Sequence, residues 1–102
     1  MAATNTTLTG SQFASGAITL TASTVDTVTF PSHVPEVEVV NMNGAGALYF
    51  TVDGSTPTVG GLSTRVLPAA VGSRTVRVKV TGDATVVKLI SSAAVQYVVE
   101  TP

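Results

Sequence analysis

Leu48, Phe50 and Val52 alternate with Tyr49, Thr51 and Asp53, the period of two that marks a strand with one buried face. Asp53-Gly54 then ends the strand: Gly takes positive φ without steric cost, Asp bonds nearby backbone, and Pro57 removes a ladder donor. The chain must reverse between Asp53 and Gly61, and residues 47–61 organise the reading of everything else. The same texture recurs on both sides of this reversal, in short runs of Thr, Val and Ile whose branched side chains pack well on pleated, half-buried surfaces. Residues 17–21 place Ile18 and Leu20 on one face, residues 25–30 place Val28 and Phe30 inward, and residues 36–42 do the same with Val37 and Val39. After the reversal come a modest strand at 62–67, the cleanest alternation at 74–81 (Val76, Val78 and Val80 against Thr75, Arg77 and Lys79), and strands at 85–90 and 95–100. The 85–90 run is apolar on both faces, as expected of a strand inside a sheet. Asn43-Gly44 reads as a hairpin turn joining the strands on either side of it. No segment sustains a helical period, so the expected fold class is all-β, with seven to eight short antiparallel strands. Inward positions that are mostly Val favour two packed sheets over a closed barrel.

At 102 residues the chain is one domain by length, and surface scaling gives a folded monomer roughly 5,400 Å² of accessible surface. Hydrophobic residues make up 44% and charged residues only 11%, about half the usual charged share of roughly 25%. Weak surface charge reduces the repulsion that keeps proteins apart, which suits a domain that works inside an assembly. A net charge of −1 gives no electrostatic case for nucleic acid or an acidic membrane surface, so neither is an expected partner. With no cysteine there is neither a disulfide framework nor a thiolate metal site. Nothing at the amino end reads as a secretion signal, and synthesis in the cytosol is the expectation.

Residues 1–16 are mainly Thr, Ser, Asn, Gly and Ala, with Leu8 and Phe13 as their bulky apolar members. Such a stretch buries too little to order itself. It is expected to be a flexible N-terminal arm ahead of a single domain at 17–102, either frayed or docking Leu8 and Phe13 on a neighbouring subunit.

The chemistry-bearing residues are few. His33, the only histidine, lies between Pro31 and Pro35, without the context of a Ser-His-acid arrangement, so no catalytic residue is assigned and no enzyme activity is expected. His33 with Glu36 and Glu38 could be drawn as a metal cluster, but such groups on an exposed turn and strand more often only solvate it, and no metal or cofactor is assigned. Asp26, Asp53 and Asp83 lack calcium-loop spacing and are read as turn-closing residues. Arg77 and Lys79 form a small basic stripe on one strand face, with Arg65 and Arg74 candidates to lie near it. It is either a solvated face paired across strands with Glu36 and Glu38, or an edge that contacts a partner. A sugar site is a rival for a small sandwich, weakened by the lack of Trp; Tyr49 and Tyr97 are the polar aromatics.

Leu-Tyr-Phe-Thr-Val-Asp-Gly-Ser-Thr-Pro-Thr, residues 48–58, resembles the strand-and-turn signature of the small Ig-like domains of chitobiase-type enzymes, which implies an Ig-like β-sandwich. A wider series of blocks between Val25 and Glu100, namely Val-Glu-Val-Val-Asn, the 48–61 stretch, Val-Leu-Pro-Ala-Ala-Val-Gly and Thr-Val-Val-Lys-Leu-Ile-Ser-Ser, is similar to small virion structural proteins of tailed bacteriophages of actinobacteria. This resemblance implies a capsid decoration protein on the outside of the head, made in the host cytoplasm. Its implied partners are the major capsid protein and further copies of itself, clustered in threes. Leu8 and Phe13 would be arm anchors, and Arg77 and Lys79 edge contacts. A tail, neck or fibre component is the neighbouring alternative, and an Ig-like glycan-binding module at a host surface the more distant one.

Overall fold

The computed structural model describes residues 3–79 and 81–102. Among them are nine strands and no helix: β1 (Asn5–Thr7), β2 (Ile18–Thr19), β3 (Asp26–Thr29), β4 (Glu36–Asn41), β5 (Leu48–Thr51), β6 (Arg65–Leu67), β7 (Gly72–Arg77), β8 (Val86–Ile90) and β9 (Gln96–Glu100). They form two sheets, one in the order β1-β3-β8-β5-β6 and the other in the order β2-β9-β4-β7. The all-β sandwich expected from the alternation is the fold. Val28, Phe50, Val87 and Leu89 of the first sheet meet Val37, Val39, Tyr97 and Val99 of the second in a fully buried core. Each such side chain contributes about 1.5–3 kcal/mol by leaving water. Val76 and Val78 are buried as their alternation requires; Val80, assigned to the same face, lies outside the described residues. β8 runs between β3 and β5, inside the sheet as its two apolar faces imply.

The connectivity follows one rule. β5 pairs with β6, β4 with β7, β3 with β8 and β2 with β9, all antiparallel, so the pairing is nested about the reversal between β5 and β6. Successive pairs fall in alternate sheets, which is a long two-stranded ribbon rolled up on itself: a jelly roll. An immunoglobulin sandwich instead keeps sequence neighbours such as its first two strands side by side in one sheet. Here β5 and β6 are the one pair of consecutive strands that are hydrogen-bonded neighbours. The sandwich is therefore as expected, while its strand order is that of the rolled ribbon.

The Asn43-Gly44 reading needs correction, because the chain crosses here from β4 in one sheet to β5 in the other. Asn41 explains why. It is fully buried, and its Nδ2 donates to the carbonyls of Gly46 (3.0 Å) and Pro68 (3.2 Å) while its Oδ1 accepts from the Gly44 amide (2.9 Å). Those bonds bend the link away from β4. Gly44, at φ 64°, comes so close to the Ala70–Val71 backbone that a Cβ would lie 3.2 Å from the Val71 nitrogen. Its permissiveness serves a crossover and not a hairpin.

Residues 4–16 lie along the body, contrary to the expectation of an unordered arm. β1 pairs in parallel with β3, the Leu8 amide bonds the Thr29 carbonyl at 2.8 Å, and Leu8 is only 6% exposed within the chain's own core. The segment then passes to the second sheet, where Ser15 donates to the Val99 carbonyl and Thr101 to that of Phe13. Phe13 stacks on Phe30 with ring centroids 6.5 Å apart and stays 36% exposed. The strand edges supply the hydrogen-bond partners that this polar sequence lacks on its own. Accordingly the accessible surface is 5043 Å², near the value for a compact monomer, and the molecule measures 32 × 26 × 25 Å.

Candidate binding groove at the open edge

β6 and β7 are the last strands of their respective sheets, joined by residues 68–71, and between them the sandwich opens. Leu48 pairs with Leu67 and Phe50 with Arg65, so Arg65 follows the inward-facing phase of β6 at the point where no opposing sheet covers it. Arg74 stands in the same phase as Val76 on β7, and its Nη1 donates to the Val66 carbonyl at 2.9 Å, tying the two edges together. Arg77 and Lys79 lie further along β7 and the turn after it. The four cations, with Val52, Asp53, Ser63, Thr64 and Val66, line a groove of about 500 Å³. Four of the chain's five lysines and arginines are thus in one place.

Asp53 does close its turn. Its Oδ1 accepts from the amide and the hydroxyl of Ser55. The hydroxyl first, then the amide, and more weakly Arg65 hold its carboxyl below the usual range. It stays ionised beside the cations without neutralising them. Val66 in the groove lining is an exposed apolar side chain, and so are Leu62 (98% exposed) in the segment leading into β6 and Val71 in the β6–β7 link. The cross-strand pairing expected for the basic stripe is only partly there, since Glu36 stands opposite Arg77 but Glu38 stands opposite Thr75 on one side and Glu100 on the other.

The remaining candidates lie elsewhere. Leu8 belongs to the core, and Phe13 lies across the body of the sandwich. His33 sits half-buried in its turn with Nδ1 unpartnered, and among the described residues no three His, Asp or Glu side chains gather closely enough to hold a metal. Asp26 is no turn residue: it is fully buried in β3, where its Oδ2 accepts from the Tyr97 hydroxyl (2.9 Å) and its Oδ1 from the Thr4 amide (2.9 Å). That pair spans the two sheets and fastens the amino end. Burial, followed by the charge of Asp26 and the hydrogen bond to it, pushes the Tyr97 hydroxyl well above its ordinary pKa. The one signal for this pair was the inward phase of both residues in their strands.

Comparison of the chain with models of known protein families, with curated proteins and with solved structures finds no match.

Proposed function

We propose that this chain is a non-enzymatic virion structural protein, a capsid decoration protein that binds the outside of a phage head and stabilises it through subunit contacts. The observation that carries the reading is the concentration of cations and exposed apolar side chains on one open edge of an otherwise weakly charged domain. A surface of that kind favours a protein partner, with charge setting approach and register and apolar side chains supplying the buried area. A jelly roll adds fold-level analogy only, since viral capsid proteins use it, as do lectins and cupins. Binding the assembled shell and not its free subunits would stabilise the shell by mass action. Arg77 and Lys79 keep the role of edge contacts, the major capsid protein and further copies of this chain remain the proposed partners, and Phe13 retains some exposed surface for them. Leu8 gives up its anchoring role to the core. The glycan alternative loses one of its two polar aromatics, because the Tyr97 ring is buried and cannot stack on a sugar.

Quantitative mass spectrometry of particles purified from the source tests this by counting the chain against the major shell protein. Hundreds of copies are expected. A handful per particle would move the protein to the tail or neck, and absence from particles would overturn the reading. Arg77→Ser with Lys79→Ser should weaken particle binding and its dependence on salt.

A further inference from the structure

β7 has one satisfied edge and one open edge, and the hydrogen-bond phase says which groups face out. The Val78 amide bonds the Pro35 carbonyl at 2.9 Å, so the bonded pairs along β4 and β7 fall at every second residue, at Val76, Arg74 and Gly72. The Met42 amide on the Gln96 carbonyl gives the same phase on the other side of β4. The backbone N–H and C=O groups of Ser73, Thr75 and Arg77 therefore point away from β4, toward the groove side of the sheet. Five residues of this strand are exposed.

We infer that this edge takes an extended acidic segment of a partner protein, laid beside β7 as an added strand with the carboxylates of one face on Arg77 and Lys79, which share a face in the phase of β7. The inference deepens the assembly reading by naming what the groove holds. Three features support it together. Unpaired strand groups ask for another backbone. The cations flanking them ask for carboxylates, and Arg74, with one nitrogen on the Val66 carbonyl, still has donors to offer. The exposed Val66 in the groove lining asks for apolar side chains between the acids. The molecule already contains such a match on the satisfied edge: β4 reads Glu-Val-Glu-Val-Val-Asn and sets Glu36 opposite Arg77. A second copy pairing through its own β7 would bring arginine against arginine, so the same charges guard the edge against self-pairing. A sulfated or phosphorylated polymer would meet the cations but leave the strand groups unpaired.

The probe is a capped synthetic peptide alternating Glu and Val, titrated into the intact protein and followed by fluorescence anisotropy and by backbone amide resonances. Binding is expected to weaken by about tenfold or more from low to physiological salt, with hydrogen exchange slowing at the amides of Ser73, Thr75 and Arg77. Arg77→Glu with Lys79→Glu should lower affinity about tenfold or more. Thr75→Pro is the sharper variant. The Thr75 amide faces the open edge, where proline is compatible with pairing to β4, so binding should be lost while the thermal midpoint holds. Should that variant fail to fold, the wild-type exchange data decide. No slowing at the three amides, equal affinity for a peptide alternating Lys and Val, or binding of a heparin oligosaccharide as tight as that of the Glu–Val peptide would overturn the inference. Each of these can fail while the protein is still abundant on particles, and absence from particles would leave the peptide result standing.

Discussion

The two sides of this sandwich face the same physical problem and answer it differently. On the side of β1 and β2 the chain itself covers the opening: residues 4–16 cross from the edge of β3 to the edge of β9, Leu8 fills the gap, and Asp26 ties both Tyr97 and the Thr4 amide. On the side of β6 and β7 no segment among the described residues covers it; there one Arg74–Val66 bond spans the edges, and charge and exposed apolar groups take the place of packing. A closed edge invests its polar atoms in internal bonds and becomes part of the stability of the fold. An open edge keeps them available, and so is where a partner can be recognised. Substitutions on the two sides should therefore separate into those that unfold the protein and those that leave it folded.

The largest effect belongs to Asp26→Ala. It orphans the buried Tyr97 hydroxyl and releases the Thr4 amide, at roughly 1–3 kcal/mol for each unsatisfied group. A loss of about 3–4 kcal/mol in urea unfolding is expected, with the amides of residues 4–8 exchanging faster. If stability holds, the closed side is not closed by this pair. Next comes Leu8→Ala, expected to cost about 2–3 kcal/mol, at the lower end for a buried Leu because the site lies near an edge. Leu62→Ala, on the open side and 98% exposed, should stay within about 0.5 kcal/mol. Equal effects at the two leucines would erase the contrast between the sides, as would an arm whose removal left the domain untouched.

A smaller effect on the closed side is set by pH. Tyr97 is held neutral in the fold, so its pKa is raised above the ordinary 10.0. The neutral form's contribution is complete below pH 10; above it the unfolded chain ionises first and the folded state loses ground as pH climbs. Thermal midpoints should fall from about pH 10 upward, and Tyr97→Phe, less stable at pH 7 through the lost bond to Asp26, should show a flatter decline. A decline of unchanged steepness would mean that the alkaline sensitivity does not come from the Tyr97–Asp26 pair.

These contrasts also mark how far the sequence could be read. The strands and their inward residues are legible because the period of two is imposed by geometry, and residues 47–61 are the centre of the chain in a literal sense, since every antiparallel strand pair nests around their reversal. Pairing is another matter. A crossing strand and a hairpin strand carry the same alternation, and Asn43-Gly44 is equally suited to either link; the buried Asn41 that decides between them looks like an ordinary polar residue in the sequence. Asp26 misleads in the same way, for an aspartate beside a Thr-Val run reads as a turn until Tyr97 is brought to it from 71 residues away. Arg77 and Lys79 were visible as a stripe. That Arg65 joins them depends on β6 and β7 ending different sheets on the same side, which no local pattern encodes.

The faintest expected effect lies between the two sides, on the outer face of the second sheet. Glu38 and Glu100 stand directly opposite each other on β4 and β9, a cross-strand pair of like charges. Partial burial, then the hydrogen bond its protonated form donates to Glu38, then the charge of Glu38, push the Glu100 carboxyl above its ordinary 4.5. The protonated pair is the comfortable one, so its contribution is present below about pH 4.5 and is lost as pH rises through the raised value. Glu38→Gln removes the repulsion, and the Gln amide can donate to the Glu100 carboxylate. Because solvent screens exposed pairs, the expected gain at pH 7 is small, about 0.2–1 kcal/mol, and it should shrink toward pH 4, as Glu100 of the parent takes up its proton. The gain should also leave the cationic edge alone, with affinity for the Glu–Val peptide unchanged. A Glu38→Gln variant that lost stability at pH 7 would mean that Glu38 leans on a cation of the open edge instead, and the separation between the middle of the sheet and its edge would have to be redrawn.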